Sequence, residues 1–308
     1  MNYFRCGGSE KVTIDGVKVK DKMELKSKMF SGVQISVPPG SMTSFVAYNG
    51  EIHAFKSGGS GLDLTTHYKW DGTTWTQLSE ITSFHSGSKP VVYNNEIHLI
   101  AGRNGNWGKS EHYKWDGTTW IKLENFPRPN IYSCAIVVYN NELHVINDYY
   151  MSASDGYYEK CHYKWDGTTW TKLEDPPFYR GSAVVYNNEI HMVGCSSTSS
   201  GTKNMHYKWD GTTWTQLSNI TYPSYNSAFV YNNEIHLTGG NSSNDVGSHY
   251  KWDGTTWTQL SNLPHYSPSA GVYNNEIHLV GSRHSVITVP FYILLPYNVV
   301  NVYFTPST

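Results

Sequence analysis

Apolar and polar residues trade places along this chain in runs too short for helices. VVYNNEIHLI (91–100) holds two β-rich stretches on either side of Asn94-Asn95, and HYKWDGTTWTQL (67–78) holds two more around Asp71-Gly72. Short stretches rich in Val, Ile, Tyr, Trp and Thr, bounded by Asn, Asp and Gly, read as strands. Asn and Gly tolerate the positive φ that a tight hairpin requires, so each segment predicts a hairpin. No helical period runs through either segment.

The two hairpins recur together. KWDGTTW occurs five times, beginning at Lys69, Lys114, Lys164, Lys208 and Lys251. Tyr-Asn-(Asn/Gly)-Glu-(Ile/Leu)-His occurs six times, ending at His53, His98, His144, His191, His236 and His278, at spacings of 45, 46, 47, 45 and 42 residues. Periods in the forties fit propeller blades or paired-helix arrays, and the hairpin wording selects the blade. Each repeat is therefore predicted to be a four-stranded meander, with strands a, b, c and d in chain order.

The units resemble kelch repeats, whose pattern is an apolar strand, a glycine pair, a Tyr-Asp-like step and a following Trp. Gly239-Gly240, Trp252-Asp253 and Trp257 stand in those places, while the glycine pair is eroded at Ala101-Gly102 and Asn147-Asp148. The resemblance covers about residues 32–293 and implies an all-β, kelch-like β-propeller. The sialidase Asp-box is close in wording, but Asp71-Gly72-Thr73-Thr74-Trp75 is one residue short of its spacing.

The sixth repeat lacks KWDGTTW, and the N-terminus offers a replacement. Gln34 lies 19 residues before His53, as Gln259 lies 19 residues before His278. Val33 to Val37 is thus expected to be strand d of the last blade, paired with a strand c drawn from about Ser285 to Leu294. The expected architecture is a six-bladed propeller over residues 32–308, its last blade closed by an N-terminal outer strand, behind an extension of residues 1–31. Joining first and last segments in one blade leaves no open seam.

Composition agrees. Aromatic residues make up 15% and charged residues 16% of the 308, which suits half-buried pleated surfaces and not disorder. A net charge of −2 gives no electrostatic reason to expect nucleic acid or an anionic membrane as partner. Val286 to Val300 is the most apolar stretch, but it is short for a membrane span and contains Pro290 and Pro296, so it reads as buried strand. The N-terminus lacks an apolar signal-peptide core, so the chain is expected to be made in the cytoplasm. Cys6, Cys134, Cys161 and Cys195 match neither a CxxC site nor a dense disulfide framework and read as structural thiols.

Ten of the eleven tryptophans sit in the heptapeptides, where they read as blade packing. Eleven of the fourteen histidines fall in the EIH and HYKW frames; equivalent positions around a ring stand too far apart to converge on one metal. The repeated Glu of YNNEIH reads as a turn residue. No serine triad motif, phosphate-binding glycine loop or HExxH is present, so no catalytic residue, metal or cofactor is expected.

Recognition is expected where the repeats differ. In a meander the a–b and c–d turns share one face, and here they are nearly invariant. The b–c and d–a connections share the other face and differ in every blade, as in KSGGSGLDLTT (56–66), NDYYMSASDGYYEKC (147–161) and CSSTSSGTKNM (195–205). Variable loops on a rigid scaffold are the usual place for binding. Just before each strand a stand His85, Tyr132, Tyr179, Tyr225 and Tyr266, expected to ring the central opening. Arg128, Phe178, Arg180 and Tyr222 would flank them, with Trp107, Tyr149 and Tyr150 on longer loops outside. Flat rings with polar tips suit carbohydrate.

The first expectation is therefore a non-catalytic module that binds a surface glycan or protein receptor. An intracellular protein-interaction scaffold is the second, and a glycan-acting enzyme of the sialic acid type is the third. Kelch propellers include copper radical oxidases and sialic acid mutarotases, but no copper-ligand set is recognisable here. The repeat wording is also similar to kelch-like proteins of phage and prophage tail regions of Gram-positive bacteria. That resemblance implies a virion-associated receptor-binding protein, homo-oligomeric or joined to a tail assembly through residues 1–31.

Overall fold

The computed structural model describes residues 12–14, 17–19, 39, 44–57, 65–81, 89–100, 103–104, 107–108, 110–128, 131–150, 158–178, 181–198, 201–220, 226–239, 248–260, 269–273, 276–280 and 291–294. All regular structure among them is β. A hairpin of β1 (Val12–Ile14) and β2 (Val17–Val19) lies in the N-terminal extension.

Five antiparallel sheets of four strands follow. Blade 1 is β3 (Ser44–Tyr48), β4 (Glu51–Ser57), β5 (Thr65–Trp70) and β6 (Trp75–Gln77). Blade 2 is β7 (Lys89–Tyr93), β8 (Glu96–Ile100), β11 (His112–Trp115) and β12 (Trp120–Lys122), with a small hairpin β9 (Arg103–Asn104) and β10 (Trp107–Gly108) between its b and c strands. Blade 3 is β13 (Ile131–Tyr139), β14 (Glu142–Tyr150), β15 (Tyr158–Trp165) and β16 (Trp170–Lys172). Blade 4 is β17 (Gly181–Tyr186), β18 (Glu189–Thr198), β19 (Gly201–Trp209) and β20 (Trp214–Gln216). Blade 5 is β21 (Asn226–Tyr231), β22 (Glu234–Gly239), β23 (Ser248–Trp252) and β24 (Trp257–Gln259).

The expectation of six four-stranded blades is corrected here: the propeller has five blades of four strands, not six. The sixth repeat forms a sheet of three strands, β25 (Ser269–Tyr273), β26 (Glu276–Val280) and β27 (Phe291–Leu294). Its motif ends at YNNEIH; without KWDGTTW it has no second Trp-bearing hairpin to extend the sheet. Val33 to Val37, expected as its outer strand, lies outside the described residues. The innermost strands neighbour one another in sequence order, and β25 also lies beside β3.

The turns form as their residues dictate. Asn94 and Asn95 adopt φ of 49° and 59°, and the same pair of values recurs at Asn140-Asn141, within a degree at Asn187-Asn188 and Asn232-Asn233. Both central residues lie in the left-handed region, the mark of a type I′ hairpin whose twist matches the strands. In the second turn Gly72, Gly117, Gly167, Gly211 and Gly254 take φ between 102° and 109°, which a side chain resists. The preceding Asp locks that turn. Asp71 Oδ1 accepts the Thr73 and Thr74 backbone N–H groups at 2.8 and 2.9 Å and the Thr73 hydroxyl at 2.7 Å.

Core packing lies between blades. Ile100, Phe126, Cys134, Leu143, Val145 and Trp165 are buried together at the junction of blades 2 and 3; Ala135, Val137, Ile146, Phe178, Ile190 and Trp209 at that of blades 3 and 4. The first Trp of each heptapeptide is buried and its cross-strand partner half-buried, as in Trp165 and Trp170 with ring centroids 5.1 Å apart. Each such indole withdraws roughly 200 Å² from water, about 5 kcal/mol as an upper bound.

Candidate functional site

The two ends of each blade differ in construction. At the invariant end, the described c–d turns are held by their own Asp-centred hydrogen bonds, and two turns are also held by a neighbouring blade. Tyr48 Oη donates to the Asn95 carbonyl of blade 2 at 3.0 Å, and Tyr139 Oη donates to the Asp210 carbonyl of blade 4 at 3.1 Å. The repeated Glu does more than terminate a turn. It pairs with the heptapeptide Lys across strands b and c, as in Lys69–Glu51, Lys114–Glu96, Lys164–Glu142, Lys208–Glu189 and Lys251–Glu234 at 2.8–2.9 Å.

Antiparallel pairing sends the b–c and d–a connections out of the opposite end, and there the blades diverge. Blade 4 extends its ladder to Thr198↔Gly201, so most of 195–205, expected as a loop, is a paired hairpin. Blade 3 does the same through Asp148↔Lys160, Tyr149↔Glu159 and Tyr150↔Tyr158. Lys160 Nζ donates to the Pro177 carbonyl at 3.1 Å, tying the blade 3 hairpin to the segment entering blade 4.

Among the residues expected to bind ligand, four are gathered here at the level of the backbone. Tyr149 and Tyr150 lie on the extended β14, whereas Trp107 lies on β10, which runs beside β13. Tyr132 falls where the β13–β14 register shifts between Ile131 and Ser133, as an extra residue opposite the Tyr149–Asp148 step. Such a bulge re-aims a side chain and is frequent beside binding sites. Arg128 is half-buried just before β13. His85, Tyr179, Arg180, Tyr222, Tyr225 and Tyr266 lie outside the described residues.

Phe178 is a correction. It was expected to flank the ligand, but only 1% of its surface is exposed, and it packs with Ile190 and Met192 and against Tyr207. The position after Pro176-Pro177 turns the ring under the blade junction, where burial of a phenyl group outweighs any polar contact.

Sequence spacing alone did not reveal the histidine pairs. The histidine of EIH on strand b and that of HYKW on strand c meet within each four-stranded blade: His53–His67, His98–His112, His144–His162, His191–His206 and His236–His249, Nδ1 to Nε2 at 2.8–2.9 Å. Their sequence separations are 14, 14, 18, 15 and 13, so the geometry is set by the invariant turns and not by the loop between. All ten are buried. Burial, the main cause, lowers the strand-b members to about 4 and the strand-c members to about 3. In blades 1 to 4 the strand-c ring also meets the Trp pair of the next blade edge-on or tilted, as His206 meets Trp252 and Trp257 at 4.9 and 5.3 Å. Cys134 and Cys161 are buried, as expected of structural thiols. Among the described residues no group of three or more His, Cys, Asp or Glu could hold a metal ion.

The chain matches no family model and no curated protein. Among solved structures it is similar to one titled "Structure of YjhT", with a TM-score of 0.67 over 86% of this chain and 98% of that one, at 13% identity. At that identity the likeness shows the fold alone, a β-propeller.

Proposed function

We propose that this protein is a non-catalytic recognition module that binds a surface carbohydrate or cell-surface receptor through the blade ends opposite the Asn-Asn and Asp-Gly turns. One observation carries the reading: five blades are nearly identical at one end and built differently at the other, blades 3 and 4 with extended hairpins and blade 2 with an added one. Uniform turns meet the needs of the scaffold. Aromatic and hydroxyl-bearing residues gathered at a bulged strand beside two hairpins supply a surface that stacks on sugar C–H groups and hydrogen-bonds hydroxyls. We centre the proposed site on Trp107, Tyr132, Tyr149 and Tyr150. A receptor-binding role on a phage tail, with residues 1–31 as the attachment, agrees with the repeat wording.

The test is a glycan array and a whole-cell binding assay on Gram-positive bacteria, run beside Tyr149→Ala/Tyr150→Ala and Trp107→Ala variants with unchanged circular dichroism. Selective binding reduced at least tenfold in both variants is expected. Binding to neither glycans nor cells by the wild-type chain overturns the reading, and binding that survives both variants moves the site to another part of that face.

A further inference from the structure

The five histidine pairs are buried within the blades, away from the surface proposed for recognition. Their cost is visible in the structure. Two neutral imidazoles hold two N–H groups and two lone pairs; the shared Nδ1···Nε2 bond uses one of each and leaves the outer nitrogens unsatisfied. The Nε2 atoms of His53, His98, His144, His191 and His236 meet no hydrogen-bond partner. In four blades that atom sits instead 3.9–4.0 Å from the Oε2 of the Glu two residues before it. At His112 and His162 the Glu124 and Glu174 carbonyls favour the protonated ring without completing a bond to Nδ1.

The surroundings decide how many protons a pair accepts. Strand b presents Glu51, Glu96, Glu142, Glu189 and Glu234, and strand c presents Lys69, Lys114, Lys164, Lys208 and Lys251, already paired with those carboxylates. Strand a presents a ring edge-on to the strand-b histidine, as Tyr139 does to His144 at 5.5 Å. In blades 1 to 4 the next blade presents its two Trp rings to the strand-c histidine, and these carry no charge. One proton on a pair is shared through the existing bond, with the outer Nε2–H turned to the Glu. A second proton places two N–H groups nose to nose at 2.8–2.9 Å and breaks the bond. The strand-c ring then carries its charge into the Trp contact that joins one blade to the next.

We propose that the five histidine pairs are an acid-sensitive latch, four of them on the Trp junctions between successive four-stranded blades, closed when both rings are neutral and released when the pair is fully protonated, so that the propeller opens cooperatively in mildly acidic solution. The sign follows from linkage. A histidine whose folded value lies below its unfolded value of about 6.5 contributes stability that is complete above pH 6.5 and lost as pH falls towards the folded value, because the unfolded chain binds the proton first. Between pH 7 and 5.5 each such histidine raises the unfolding constant roughly eightfold. One histidine per pair, five in all, then gives a factor of more than about 10⁴.

The experiment is urea unfolding of the full chain followed by Trp fluorescence from pH 8 to 5, with the proton uptake read from the slope of stability against pH. Uptake of five or more protons, growing as pH falls from 7 towards 5, is expected, together with reversal at pH 7.5. Replacement of one pair, His144→Asn/His162→Asn, should reduce the uptake by one to two protons whatever its effect on stability. If that variant does not fold, ¹⁵N-edited spectra of the wild-type imidazoles supply the same answer. Native histidines that titrate near 6.5 with the fold intact, or an unfolding midpoint that stays flat between pH 7 and 5, overturn the proposal.

Discussion

Phe178 and Gly181 face each other across the entry to blade 4, and their coupling measures how tightly that junction is packed. A Cβ built on Gly181 would stand 3.0 Å from Phe178 Cε2 and 3.0 and 3.1 Å from Met192 Cε and Cγ, tighter than nearly all real Cβ contacts, so these side chains must give way by a few tenths of an ångström. Gly181→Ala should therefore overpack the site at about 1–3 kcal/mol. Phe178→Ala removes a ring that is 1% exposed. About 200 Å² at about 25 cal/mol/Å² gives about 5 kcal/mol, and large-to-small core substitutions fall at about 3–5 kcal/mol. The two effects must not add. With the ring gone, the methyl group enters the space it left and the flexible Met192 shifts aside. In the Phe178→Ala background Gly181→Ala is then expected to be neutral or stabilising by up to about 1 kcal/mol, since alanine restricts the unfolded chain. Denaturant unfolding of wild type, both single variants and the double variant at pH 7.5 measures this as a coupling energy of about 1–3 kcal/mol. A Gly181→Ala penalty equal in both backgrounds, or a Phe178→Ala cost under about 1 kcal/mol, would refute the packing described here.

Two further outcomes follow from the turns. Asn141 holds φ of 59°, so Asn141→Ala should lower stability by about 1–2 kcal/mol and Asn141→Gly by only a few tenths, measured by the same unfolding assay. At Asp166 the Thr169 N–H, then the Thr168 hydroxyl and N–H, hold the carboxyl well below its usual range. Its stabilisation is therefore complete above about pH 4. Asp166→Ala should lower the thermal midpoint more than Asp166→Asn, which keeps one acceptor oxygen, and the gap should be the same at pH 6 and pH 8.

The repeat made the blade legible from the sequence because its turns carry local instructions. Asn-Asn and Asp-Gly demand backbone conformations that other residues resist, so their placement fixes strand pairing within a few residues. What happens between strands b and c is not local. The ladders of blades 3 and 4 continue into 147–161 and 195–205 because those residues pair with each other, and Ser, Thr and Gly read as loop when their partner is not considered. The same limit hid the histidine pairs. His144 and His162 are 18 residues apart, and only the register Ile146↔His162 shows that they are neighbours. Their constancy in both motifs, despite a loop of changing length, was the available signal. Phe178 was misread for the opposite reason: an aromatic residue beside prolines at a blade entrance looks exposed until the next blade is set against it. The blade number failed at the one repeat whose second half departs from the motif.

The outer strands described above have only three residues, Trp75–Gln77 in blade 1 and the same length in each of the other four. The Leu that follows still donates its backbone N–H inward, as Leu78 does to the His67 carbonyl at 2.7 Å. Such a rim offers a passing chain too few free backbone groups to begin a new strand. The five four-stranded blades therefore offer their neighbours little template for growth outwards, which suits display of many copies side by side on one surface.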